Sequence, residues 1–292
     1  MTYDEWGKEP RSSIPINENC ALYKNVGRQC YMKIHEIVAE APDVVQNVWI
    51  KFEDKIKIGS IRYCGTPFFN PEDGCLYFNL NRVRKESYFR NPFGRFFHEA
   101  AHVIDYAVGS TINPKSPKMF SYVYKNKAFR KSILKETQQH LLSIEKKIKS
   151  KIAAYDGEWL FGHGLISEEQ YSIFKLNGYL VGVSDSKEQA YIYLQNEILD
   201  IKKINRATIS DTFGGATLNK INGGHTHPLL YWGKYQDSLS ADVFANMFNA
   251  LISSPEEIEY IKKYFPKSYK MFIEMMESIE SMYKRGDENE CV

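Results

Sequence analysis

The chain has 292 residues, of which 43% are hydrophobic and 25% charged, so it holds ample apolar material for one large domain or two small ones. Its 38 basic and 36 acidic residues leave a net charge of +2, which gives no electrostatic case for binding nucleic acid or a membrane surface. No apolar run approaches the roughly 20 residues of a membrane-spanning helix.

The opening Met1-Thr2-Tyr3-Asp4-Glu5-Trp6 lacks the basic-then-apolar pattern of a secretory signal. The five cysteines (Cys20, Cys30, Cys64, Cys75 and Cys291) are odd in number and form no C-x-x-C pair. Together these features predict free thiols in a cytoplasmic chain. Residues 1–30, broken by Pro10, Pro15 and Gly27, read as an irregular arm, and 31–56 as helix interrupted at Pro42. Ile56, Ile58 and Ile61 among polar residues suggest a strand. The cluster Asn70-Pro71-Glu72-Asp73-Gly74 marks a turn, and 75–80 a further strand.

The next segment carries the chemistry. His98-Glu99-Ala100-Ala101-His102 has the H-E-x-x-H form, in a stretch whose Phe93, Phe96, Phe97, Val103 and Ile104 supply an apolar helical stripe. Asn91-Pro92 offers a helix start and Gly109 a stop. On a helix, His98 and His102 leave one face a turn apart and can hold one zinc ion, with Glu99 placed to deprotonate a water. Asp105 shares their face, where it either orients a ligand imidazole or forms a surface ion pair.

Downstream, 118–155 reads as one or two long amphipathic helices, with Lys146 to Lys151 a solvated basic face. Ser167 with Gln170 and Ser186 with Gln189 have capping-box spacing and predict helices near 168–177 and 187–204. The stretch 210–233, with Gly214, Gly215, Gly223, Gly224 and Gly233, reads as a glycine-rich loop carrying His225 and His227. Helices over about 240–252, 255–265 and 267–284 complete the chain.

A catalytic zinc site needs a third protein ligand. The close continuation with Gly and His fails, because Asp105 and Val108 stand in those places. Asp242 heads an apolar helix, where its local reading is a first-turn acid favouring the helix dipole.

His98-Glu99-Ala100-Ala101-His102-Val103-Ile104-Asp105-Tyr106 resembles the zinc helix of the anthrax-lethal-factor-type metallopeptidases. That family's third ligand is an acid opening an E-x-F-A-x-x-F helix, and Asp242-Val243-Phe244-Ala245-Asn246-Met247-Phe248 is similar. A closer likeness, over roughly 60–292, is to the zinc-peptidase-type domain of phage head-morphogenesis (minor capsid) and mobile-element proteins. It is carried by Gly74 to Leu80, by Ile209 to Thr217, by His227-Pro228-Leu229-Leu230-Tyr231-Trp232 and by the Asp242 helix. The family acid is usually Glu, so Asp242 is a departure.

The resemblance implies Asp242 as third zinc ligand, and Tyr235, seven residues before it, as the catalytic tyrosine, with Tyr231 and His227 in reserve. It implies an α+β, mostly helical zincin-like fold: an N-terminal arm and helices over 1–56, then a peptidase domain over 57–292 with a helical insertion at about 118–205. Strand 75–80, through Leu76, Tyr77 and Phe78, is then expected to pair as an edge strand with the substrate backbone. The implied function is zinc-dependent endopeptidase of phage or mobile-element origin, acting on a protein or peptide. The rivals are a non-catalytic virion component or host-factor binder on the same fold, and a delivered effector toxin protease.

Overall fold

The computed structural model describes residues 14, 16–63, 65–85, 90–183, 185–234 and 236–287. The architecture is α+β and mostly helical, with one small sheet. Helices α1 (Ala21–Val26), α2 (Arg28–Val38) and α3 (Asp43–Phe52) come first. The expected irregular arm is thus helical from Ala21 onward. Cys20 caps α1 by accepting from the Tyr23 N–H, and Leu22, Cys30 and Tyr31 are buried in the main core, apolar material that the Pro and Gly breakers masked.

Strands β1 (Lys57–Ser60), β2 (Phe68–Asn70) and β3 (Cys75–Tyr77) form a sheet in the order β1-β3-β2, with β1 parallel and β2 antiparallel to β3. Asn70 to Gly74 turns the β2-β3 hairpin, with Gly74 in the left-handed region at φ 67°. This order corrects the reading of 75–80 as an edge. β3 is central, Leu76 and Phe78 are buried, and the Tyr77 hydroxyl donates to Asp73. A period-2 pattern identifies a strand but not its place in the sheet. β1 and β2 are the outer strands.

After α4 (Leu80–Val83) comes α5 (Gly94–Ile112), which bears His98, Glu99 and His102. Its N-cap is Phe93, a buried non-glycine residue held left-handed at φ 62°. The Phe93 N–H donates to the Val83 carbonyl at 2.6 Å, and the Asn91 amide donates to the Ser253 carbonyl at 2.6 Å. Gly109 does not end the helix. It lies inside α5 because the Lys118 carbonyl crosses there, 1.7 Å from where a Cβ would sit.

The remaining helices are α6 (Phe120–Val123), α7 (Ala128–Ala153), α8 (Gly157–Gly162), α9 (Glu168–Asn177), α10 (Ser186–Leu199), α11 (Ala207–Thr217), α12 (Leu229–Lys234), α13 (Ser238–Ser253), α14 (Glu257–Tyr264) and α15 (Pro266–Asp287). Both bonds of the Ser167–Gln170 capping box form. The second box does not: Asp185 caps α10, and the Gln189 amide donates instead to the Leu165 carbonyl. α11 and α12 replace much of the expected glycine-rich loop. Residues 207–215 are buried throughout, and tertiary packing overrides the helix cost of Gly214 and Gly215, about 1 kcal/mol each.

α13 is the axis of the fold. Every residue from Ser238 to Ile252 is buried, and α5, α11, α12 and α14 pack on it. The sheet covers α5 from the other side through β2 and β3. Helices α7 to α10 enclose a smaller cluster of Ile148, Leu160, Leu165, Ile166 and Ala190, joined to the main core by Leu141 and Ile144. No helix among the described residues is long and apolar enough to cross a membrane.

Replacing Gly109 by Ala sets two effects against each other. Helix propensity favours Ala by about 1 kcal/mol. A methyl group driven into the Lys118 carbonyl costs about 3 kcal/mol or more. The clash wins, so Gly109→Ala lowers stability in urea unfolding, where an Ala gain would show the opposite sign.

Candidate metal centre

The α5–α13 contact brings three side chains together. His98 Nε2 lies 3.5 Å and His102 Nε2 3.8 Å from Asp242 Oδ1. All three residues are buried, and their ligand atoms lie within 4.8 Å of one another. Ligand atoms at the corners of a tetrahedral zinc with bonds of about 2.0–2.1 Å stand roughly 3.3 Å apart. The observed separations are within a few tenths of an ångström of that.

The donor set also fits a cation chemically. Asp242 Oδ2 accepts from the Tyr231 hydroxyl, while Oδ1 has no hydrogen-bond partner although buried. A buried, unpartnered carboxylate oxygen is costly unless a positive group compensates it. Burial depresses the pKa of His98 far below its ordinary value and that of His102 to about 3, the latter assisted by His98 itself. Both imidazoles are therefore neutral, as metal ligation requires.

Glu99 follows His98 on α5. Its Oε2 accepts the Phe69 N–H at 3.0 Å, so it is tied to outer strand β2. Burial, then the nearby Asp242 charge, raises its carboxyl to about 8. A carboxyl so perturbed beside a metal-ligand cluster suits proton transfer near neutral pH.

Asp105 does not orient an imidazole. Its two oxygens accept the Ser121 N–H at 2.7 Å and the Ser121 hydroxyl at 2.6 Å, pinning α6 to α5. The Nδ1 atoms of His98 and His102 are buried without hydrogen-bond partners. The i, i+3 spacing from His102 put Asp105 on the right face, but the chain that packs there brings better donors.

His227 comes from the loop between α11 and α12. Its Nε2 is 3.7 Å from Asp242 Oδ1, and its ring stacks on Tyr231 at 4.2 Å. Tyr231 is thus brought to the site, but its hydroxyl is committed to Asp242. Tyr235 lies outside the described residues. Leu76, Tyr77 and Phe78 are not brought to the cluster, for the reason given above.

Sequence reasoning missed Asp211, although it lies in a stretch that carried the family likeness. This fully buried residue of α11 accepts from the His227 N–H at 3.2 Å and faces His227 Nδ1 at 3.1 Å through Oδ1, and accepts the Asn246 amide at 2.9 Å through Oδ2. The Asn246 carbonyl oxygen in turn accepts from buried Arg90 at 2.6 Å. Asp242, Asn246 and Asn249 recur at helical spacing, so α13 carries a buried polar stripe through its apolar body. A charged residue inside the small-residue run Ile209 to Thr217 was the available signal.

The chain matches no protein-family model, and neither a curated protein nor a solved structure is detectably similar to it.

Burial dominates the Asp105 environment and raises its carboxyl to about 7, above its unfolded value near 4. The protonated form is the one favoured on folding. The stability it supports is therefore full below about pH 4 and lost as pH rises to about 7. Asp105→Asn removes this titration. Between pH 4 and 7.5 the variant should gain on the wild type by a few kcal/mol, measured by urea unfolding of metal-free protein; a constant offset would contradict the assignment.

Proposed function

We propose that this protein is a zinc-dependent endopeptidase on a zincin-like scaffold. The observation that carries the reading is the convergence of His98 Nε2, His102 Nε2 and the unpartnered Asp242 Oδ1, with Glu99 on the same helix bound to outer strand β2. His98, His102 and Asp242 would hold the ion. When bound, zinc lowers the pKa of a coordinated water towards about 7 and polarises the carbonyl to be attacked.

This chain's own residues do the rest. Phe69 anchors one Glu99 oxygen, which leaves the other to take a proton from the attacking water and pass it to the leaving amine. Tyr231 holds Asp242 Oδ2, so that Oδ1 stays turned to the two imidazoles. His227 Nε2–H, close to Asp242 Oδ1, is a side-chain donor available to the oxygen on which negative charge develops. Outer strand β2, beside Glu99, would take an extended peptide through the backbone groups that Glu99 does not occupy. That geometry favours a protein or peptide substrate, and the near-balanced charge favours no nucleic acid.

The likeness to phage head-morphogenesis and lethal-factor-type proteins supports the same reading and a phage or mobile-element origin. Asp242 is one methylene shorter than the family's Glu, and its Oδ1 at 3.5 Å from His98 Nε2 supports it as third ligand.

The test is elemental analysis with a peptide-library hydrolysis assay. The wild type should carry about one zinc per chain, and His98→Ala and Asp242→Ala should lose it. Glu99→Gln should keep its zinc while turnover falls by about 10² to 10⁴. A wild type that takes up no zinc after incubation with the metal, or a Glu99→Gln variant of undiminished activity, would contradict the proposal.

A further inference from the structure

Asp211, His227 and Asp242 also have metal-ligand spacing. Their hydrogen bonds point to a different role. Both Asp211 oxygens are used within the protein: Oδ1 by the His227 backbone N–H and Nδ1, and Oδ2 by Asn246. Only His227 Nε2 and Asp242 Oδ1 would remain for a second ion, and Asp242 Oδ1 already faces His98 and His102. Two atoms, one of them shared, are too few for a dedicated site.

We infer that Asp211 is a positioning residue, a buried carboxylate that accepts the Nδ1–H of His227 and turns the Nε2–H towards the reacting centre. The inference rests on the peptidase reading of that centre. A carboxylate that accepts from one imidazole nitrogen holds the ring in place and sets where the other nitrogen points. Asp211 does this twice over, since it also holds the His227 backbone.

The surroundings restrain the same ring. The Asn219 amide donates to the His227 carbonyl at 2.9 Å, and Asn219 Oδ1 accepts from the Thr226 hydroxyl at 2.9 Å and the Trp232 indole at 3.2 Å. Gly214 lets this loop lie against α11, because a Cβ there would stand 2.2 Å from Thr226 Oγ1. Stacking on Tyr231 limits rotation of the imidazole. On its far side Asp211 is backed by Asn246 and, through it, by Arg90. The Asp211 carboxyl is held well below the usual range by His227, against the opposing effect of burial, which supports an ionised acceptor. Asp211 is fully buried, and the His227 ring that it holds is partly exposed.

The test combines imidazole nitrogen NMR, zinc analysis and kinetics on the full chain. In metal-free wild type, long-range proton–nitrogen correlation should show a proton on His227 Nδ1, with the resonance assigned by its loss in His227→Ala. Asp211→Asn should disturb that signature, keep the wild-type zinc content and lower kcat about 10- to 100-fold with little change in KM. The same substitution should change nothing further in a His227→Ala background.

An unprotonated Nδ1 in the wild type would overturn the inference, and this readout stands even if Asp211→Asn does not fold. So would loss of zinc from Asp211→Asn, which would make Asp211 a ligand, or an undiminished kcat. Absence of peptide hydrolysis by the wild type would count against the peptidase reading alone, and the Nδ1 proton measurement would still decide the role of Asp211.

Discussion

The structure depends on one buried carboxylate. Asp242 sits on a helix with no exposed face and directs an unpartnered oxygen at two neutral imidazoles across the α5–α13 contact. A bare charge in that position opposes folding. A cation placed among the three ligand atoms removes the penalty and links α5 to α13 through itself. Metal binding and the central packing contact of the fold are then one event, as linkage requires when a ligand binds only the folded chain.

The surrounding elements can be understood as supports for that geometry. Gly109 lets the chain cross α5 closely, and Asp105 pins the crossing segment through Ser121. The polar stripe of α13 ties the carboxylate helix to Arg90 and to α11. The hairpin places outer strand β2 against Glu99, and the Phe69 N–H fixes the carboxylate proposed as general base. Rigid helices thus carry the ligands, while a short, heavily clamped loop carries His227.

Parts of this were legible in the sequence for definite reasons. The H-E-x-x-H helix could be read because two histidines at i, i+4 in an apolar stripe need a shared partner. The Ser167 capping box and the Pro42 break could be read because their signals are local. The sheet order could not: alternation in 75–80 is the same for a central and an edge strand. α11 was hidden by its glycines, which mark a close approach in the fold and a loop on paper. Asp242 reads locally as a helix-start acid, and only the family likeness raised it to a ligand. Asp105 and Asp211 were misjudged in opposite directions, because spacing gives the face of a helix but not what packs against it.

The most direct test is X-ray absorption at the zinc edge on protein loaded with one equivalent of zinc. The account predicts a first shell of nitrogen and oxygen at about 2.0–2.1 Å, with the multiple-scattering pattern of two imidazoles and no sulfur. A sulfur scatterer at about 2.3 Å, or a zinc surrounded by water oxygens alone, would place the metal elsewhere and contradict it.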